Sequence, residues 1–131
     1  AAAGAPEFAL WGSGNQTREF LHADDLAAAC LLLADHPSPP VRVNAGPGAA
    51  TSMRTLAERL QHITGYRGEI VCDLTKPEGA PRPGLDAMKL RLLVGQTPLT
   101  PIQPRLSLEE GLQQTWNAFT TARAGGTLRG G

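Results

Sequence analysis

Apolar and polar positions divide this chain into short strands and amphipathic helices. Phe8-Ala-Leu-Trp11 is an apolar run of strand length, and Gly12-Ser-Gly-Asn15 after it tolerates positive φ and predicts a turn. Thr17-Arg-Glu-Phe-Leu21 alternates polar with apolar and predicts a second extended segment. Asp24 or Asp25 then offers a helix cap, and Leu26, Ala29, Cys30 and Leu33 follow helical spacing until Pro37, Pro39 and Pro40 stop it. Val41-Arg-Val-Asn44 reads as a buried strand and Gly46-Pro-Gly48 as a tight connection. Thr51 or Ser52 caps the next helix, with Met53, Leu56, Ala57, Leu60 and Ile63 on one face and Gly65 as its left-handed terminator.

The second half is more broken. Glu69-Ile-Val-Cys-Asp73 is a strand, and Lys76 to Gly84, with three prolines and two glycines, is a loop long enough to shape a site. Asp86 to Leu93 predicts a short helix, and Gly95 to Leu106, with three more prolines, a linker. Ser107-Leu-Glu-Glu110 is a capping box opening a helix with Leu108, Leu112, Trp116 and Phe119 on one side. The Gly-rich end frays, so residues 1–122 form the folded piece and 123–131 a flexible tail. Few strands mixed with several helices mean an α/β or α+β fold. The apolar stripe on each helix is read as the shared core.

Composition narrows the function by exclusion. The chain has 131 residues, enough for one modest core, with zero net charge and 18% charged residues. It lacks the basic excess of a nucleic-acid binder. Its longest apolar stretch, Leu26 to Ala34, falls short of the roughly 18 residues that span a membrane. Two cysteines and no basic-then-apolar leader favour free thiols in a reducing, cytoplasmic setting.

Arg18 is the strongest chemical candidate. A guanidinium is permanently charged and can fork onto two phosphate oxygens, although a lone strand arginine is ordinarily a solvated surface residue. Trp11, at a strand end before a Gly turn, can stack on a ring or pack into a core. In the loop, Lys76, Glu78 and Arg82 bring charge, against the plain alternative of a solvated connector. His22, far from His36 and His62 and without Cys/His spacing, reads as a structural hydrogen-bonding residue, so no metal is expected. Asp24 and Asp25 read as a cap and not as paired catalytic carboxylates, and Cys30 and Cys72 as small core residues. Two glycine motifs are decoys. Gly46-Pro-Gly48 has Thr51 where a dinucleotide fingerprint needs its third glycine, and Gly12-Ser-Gly14 lacks the Lys-Ser/Thr ending of a P-loop.

The stretch Trp11-Gly-Ser-Gly-Asn-Gln-Thr-Arg18-Glu-Phe-Leu-His-Ala-Asp24-Asp25-Leu resembles the substrate-domain motif of GDP-L-fucose synthases, which are extended short-chain dehydrogenase/reductases. Lys76-Pro-Glu78-Gly-Ala-Pro-Arg82-Pro83 is similar to that family's Lys-Pro-Asp-Gly-Thr-Pro-Arg-Lys loop, with Glu for Asp and Pro for Lys. The likeness covers roughly residues 7–93 and resumes at Ser107-Leu-Glu-Glu-Gly-Leu112. It implies an α/β fold, the C-terminal substrate-binding part of a Rossmann-type enzyme. It also implies Arg18 on the diphosphate of a GDP-sugar, with Trp11, Glu78 and Arg82 at the same substrate. The Glu78 and Pro83 departures imply weaker binding than in a typical member.

In such enzymes GDP-4-keto-6-deoxymannose is epimerised at C3 and C5, and NADPH then reduces C4. The NADP(H) site and the Tyr-x-x-x-Lys pair belong to an N-terminal half that this sequence lacks, so no catalytic residue is expected here. The family also implies a homodimer. The alternatives are another nucleotide-sugar epimerase, dehydratase or reductase of the same family, or a non-catalytic remnant kept as an interaction module.

Overall fold

Ser52 and Gly65 show how closely local chemistry sets the elements. Ser52 accepts the Thr55 N–H at 3.0 Å to start α2 (Met53–Thr64), and Gly65 ends it at φ +68. At α4 (Leu108–Ala124) Ser107 and Glu110 form the expected capping box. The remaining elements are β1 (Glu7–Trp11), β2 (Thr17–Glu19), α1 (Ala23–Ala34), β3 (Ala50–Ser52), β4 (Glu69–Asp73) and α3 (Met88–Gly95). The computed structural model describes residues 5–38, 40, 42–80, 84–95 and 106–126.

β1 and β4 pair in parallel, Glu7 opposite Glu69 through Trp11 opposite Asp73, and β2 and β3 pair antiparallel. The fold is α/β, with small sheets and several helices around them. Its core is narrow: Ala29 of α1 and Leu90 of α3 are buried together, with Leu32, Leu33, Val43 and Ala45 packed around them. α4 and the residue before its cap meet the rest of the chain at three points. Asp25 Oδ2 accepts the Leu106 N–H at 3.4 Å, Arg59 lies 3.8 Å from Glu109, and Gly111 leaves room for the His22 ring.

Three expectations are corrected. His22, not Asp24 or Asp25, caps α1, its Nδ1 accepting the Asp24 N–H at 3.3 Å; Asp25 is buried within the first turn. With the helix starting there, its packed side is Asp25, Ala29, Leu32 and Leu33, which leaves Leu26 and Cys30 exposed. Residues 42–44 form no strand, and Val41 lies outside the described residues. Pro40 and Pro47 flank this segment and cannot donate to a ladder. Its neighbours are bonded by side chains instead: Lys89 Nζ donates to the Arg42 carbonyl at 3.2 Å, and Asn44 Nδ2 to that of Asp86 at 3.1 Å. Arg82, Pro83 and most of the 95–106 linker also lie outside the described residues.

Candidate substrate-binding site

The turn from β1 to β2 is fixed at both ends. Gly12 and Gly14 take φ +75 and +77, which only glycine adopts without steric cost. The Gly12 N–H donates to Asp73 O at 3.0 Å, extending the parallel pairing. The first N–H groups of a helix lack intrahelical partners; here Met53 and Arg54 donate to the carbonyls of Gln16 (3.0 Å) and Gly14 (2.9 Å). Helix α2 therefore holds the turn from below. Cys72 also lies beneath it, half-buried, with Arg54 Nη2 at 2.9 Å from its sulfur and the Ser13 carbonyl at 3.3 Å.

The loop after β4 folds back onto this turn. Asp73 Oδ1 accepts the Thr75 N–H at 3.0 Å and its hydroxyl at 2.5 Å, and the Lys76 N–H donates to Asp73 O at 3.2 Å. The Thr75 hydroxyl, then its N–H, hold the Asp73 carboxyl below its ordinary range, and Lys76 adds to this. Beyond that bend, Lys76 Nζ stands 5.7 Å from the Trp11 ring centroid. The Ser13 hydroxyl donates to Glu78 Oε1, and Glu78 Cα lies against Gly12. Arg18 Nη1 donates to Thr17 O at 2.7 Å and to Ala80 O at 3.3 Å.

Of the residues singled out in the sequence, Trp11, Arg18, Lys76 and Glu78 thus meet around one turn. Trp11 is 59% exposed, and core packing does not account for it. Arg18 is half-buried and, among the described residues, has only carbonyl partners and no carboxylate at ion-pair distance. Its positive charge meets only carbonyl oxygens, while the same loop carries Lys76 to the exposed indole and Glu78 to Ser13, a combination suited to a ligand with phosphate, ring and hydroxyl groups.

Three residues were missed. Ser13 was read only as part of a turn, although a hydroxyl between two glycines was a visible donor. Gln16 donates to Trp11 O at 3.1 Å, while its buried Oε1 has no partner among the described residues. Glu19 binds the Leu85 N–H at 2.7 Å and the Gly48 N–H at 3.4 Å. Strand alternation was the available signal for Glu19, because it sends the neighbours Arg18 and Glu19 to opposite sides. Glu19 also excludes the Gly46–Gly48 turn as a phosphate cradle, since a carboxylate already occupies it and Arg91 lies against Gly48. Among the described residues no group of three or more His, Cys, Asp or Glu could hold a metal, and no helix is long and apolar enough to cross a membrane.

Residues 1–46 match the NAD dependent epimerase/dehydratase family. The fold agrees: a GDP-6-OMe-4-keto-L-xylo-heptose reductase from C. jejuni superposes with a TM-score of 0.70 at 25% identity, over 88% of this chain and 34% of that one. The chain is thus similar to this family in its first 46 residues and has the fold of part of these Rossmann-type enzymes. Over most of its length the sequence is similar to GDP-L-fucose synthases. It is 44% identical over 115 residues to the putative GDP-L-fucose synthase 2 of Arabidopsis thaliana, covering 88% of this chain and 33% of that protein. It is 35% identical over 127 residues to the GDP-L-fucose synthase of Escherichia coli (strain K12), covering 90% of this chain and 37% of that one. The chain therefore spans about a third of the length of the relatives it matches.

Proposed function

We propose that this chain is the substrate-recognition segment of a GDP-L-fucose synthase, acting on GDP-4-keto-6-deoxymannose. The observation that carries the reading is the return of the Lys76–Ala80 loop onto the Gly12–Asn15 turn, which gathers Trp11, Arg18 and Glu78. Arg18 binds the diphosphate by turning from its two carbonyl partners to phosphate oxygens, a stronger, charge-assisted pairing. Trp11 packs on a ring of the sugar nucleotide. Glu78 accepts hydrogen bonds from guanine or sugar donors, and Arg82 adds to the positive field around the phosphates.

NADP(H), held by an N-terminal half of the intact enzyme, supplies the hydride for reduction at C4. This chain's own residues bind and orient the substrate and carry no step of the epimerisation. The intact enzyme is a cytoplasmic homodimer in this reading. Turnover of matched GDP- and UDP-sugars by the full-length protein tests it. Preference for the GDP-sugar is expected. Preference for a UDP-sugar would assign the segment to another epimerase or reductase of the family, and binding of neither would leave a non-catalytic remnant.

A further inference from the structure

We propose that Glu19 is a positioning residue for substrate: its carboxylate fixes the returning end of the recognition loop, opposite the point where Arg18 holds it. The inference rests on the substrate reading above and names a residue that reading does not use. Successive strand residues project to opposite sides. From β2, Arg18 reaches the loop at Ala80 O, and Glu19 reaches it at the Leu85 N–H, at 2.7 Å. The loop is thereby tied to one short strand at two points, with Arg82 between them in sequence.

The glycines around Glu19 support the same role. A Cβ on Gly84 would stand 2.6 Å from Glu19 Oε1, and one on Gly46 2.5 Å from Oε2. Neither glycine has a positive φ, so backbone conformation does not require glycine at either place. A side chain at either place would instead displace the Glu19 carboxylate from where it now lies. Among the described residues Glu19 forms no ion pair. Its partners are the backbone N–H groups of Leu85 and Gly48, so its charge is spent on locating two chain segments.

The test uses the full-length protein, with calorimetric affinities for GDP-mannose and NADPH and the thermal midpoint. Glu19→Ala is expected to weaken GDP-mannose about tenfold while leaving NADPH affinity unchanged, and Glu19→Gln, which keeps one acceptor oxygen, to recover part of the loss. Gly84→Ala should reproduce the effect, because its new methyl displaces the carboxylate. In Glu19→Ala/Gly84→Ala that methyl meets no carboxylate, so the double variant should bind as Glu19→Ala does. Normal GDP-mannose affinity in Glu19→Ala, or additive losses in the double variant, overturns the proposal, provided Arg18→Ala weakens GDP-mannose. If Arg18→Ala is also without effect, the substrate reading falls and the proposal with it. Should Glu19→Ala not fold, Gly84→Ala against Glu19→Gln/Gly84→Ala decides: equal losses are expected, because the methyl displaces the side chain in both, and a further loss from the Glu19 change overturns it.

Discussion

Lys76 Nζ lies 5.7 Å from the centroid of the Trp11 ring, so the loop after β4 reaches over the indole that ends β1. A cation–π contact at an exposed site contributes only about 0.5–1 kcal/mol. Burying a large apolar side chain is worth more, about 1.5–3 kcal/mol. The folded chain thus leaves stability unused at Trp11, which is 59% exposed. Trp11→Ala in the full-length protein is expected to change stability by no more than about 1 kcal/mol and to weaken GDP-sugar binding about tenfold. Denaturant unfolding and calorimetry check the two parts. A large stability loss with normal binding would return Trp11 to the core.

Arg18 makes a sharper case because its fork geometry can be tested against charge alone. Loss of a charge-assisted contact costs roughly 1.5–3 kcal/mol, so Arg18→Ala should raise the KM for the sugar nucleotide roughly 10- to 150-fold. Arg18→Lys keeps the charge and loses the planar fork, and should recover little of it. An unchanged KM in Arg18→Ala defeats the diphosphate assignment.

Gly12 and Gly65 separate a backbone effect from a site effect. Both have positive φ, +75 and +68, so alanine at either costs about 1–2 kcal/mol. A Cβ at Gly65 meets nothing within 4 Å, whereas one at Gly12 lies 3.1 Å from Glu78 Cα. Gly12→Ala must therefore push the recognition loop. Similar losses of stability are expected in the two variants, with a raised KM for the sugar nucleotide only in Gly12→Ala. Equal KM values would show that the loop is not held where Glu78 meets the turn.

The elements that sequence predicted well are those set by local rules. The Ser52 and Ser107 caps, the Gly65 terminator and β1, β2 and β4 follow from residue types within a few positions of one another. The failures are tertiary. His22 takes the α1 cap from two better-ranked aspartates, and Asp25 is drawn inward to meet the Leu106 N–H. The packed side of α1 then includes Asp25, and Leu26 is left 45% exposed. Residues 42–44 have the apolar pattern of a strand, but pattern does not reveal that neighbouring prolines and side-chain bonds take the place of a ladder. As candidates for the site, Arg18, Trp11 and Glu78 were legible from chemistry and resemblance. Glu19 was not, since a strand glutamate is informative only once Gly48 and Leu85 are seen to converge on it.

Asp73 carries the pH dependence of the loop. Its carboxyl titrates below the ordinary value because the Thr75 hydroxyl, and next the Thr75 N–H, bond its charged form, with Lys76 contributing. A depressed native value means that the native state binds the proton less readily than the unfolded chain. The stabilisation is complete above the ordinary carboxylate range and is lost as pH falls through the native value. Protonation weakens the bend that brings Lys76 to Trp11 and Glu78 to Ser13, so GDP-sugar affinity should decline in acid alongside Asp73 titration. Thr75→Val removes the largest cause, and the Asp73 midpoint, followed by carboxyl NMR, should move up toward the ordinary value. The acid limb of binding should move up with it. A Thr75→Val midpoint unchanged from the parent protein would break the link between this bend and the site. A shifted midpoint with an unshifted binding limb would show that the loop holds its place without Asp73.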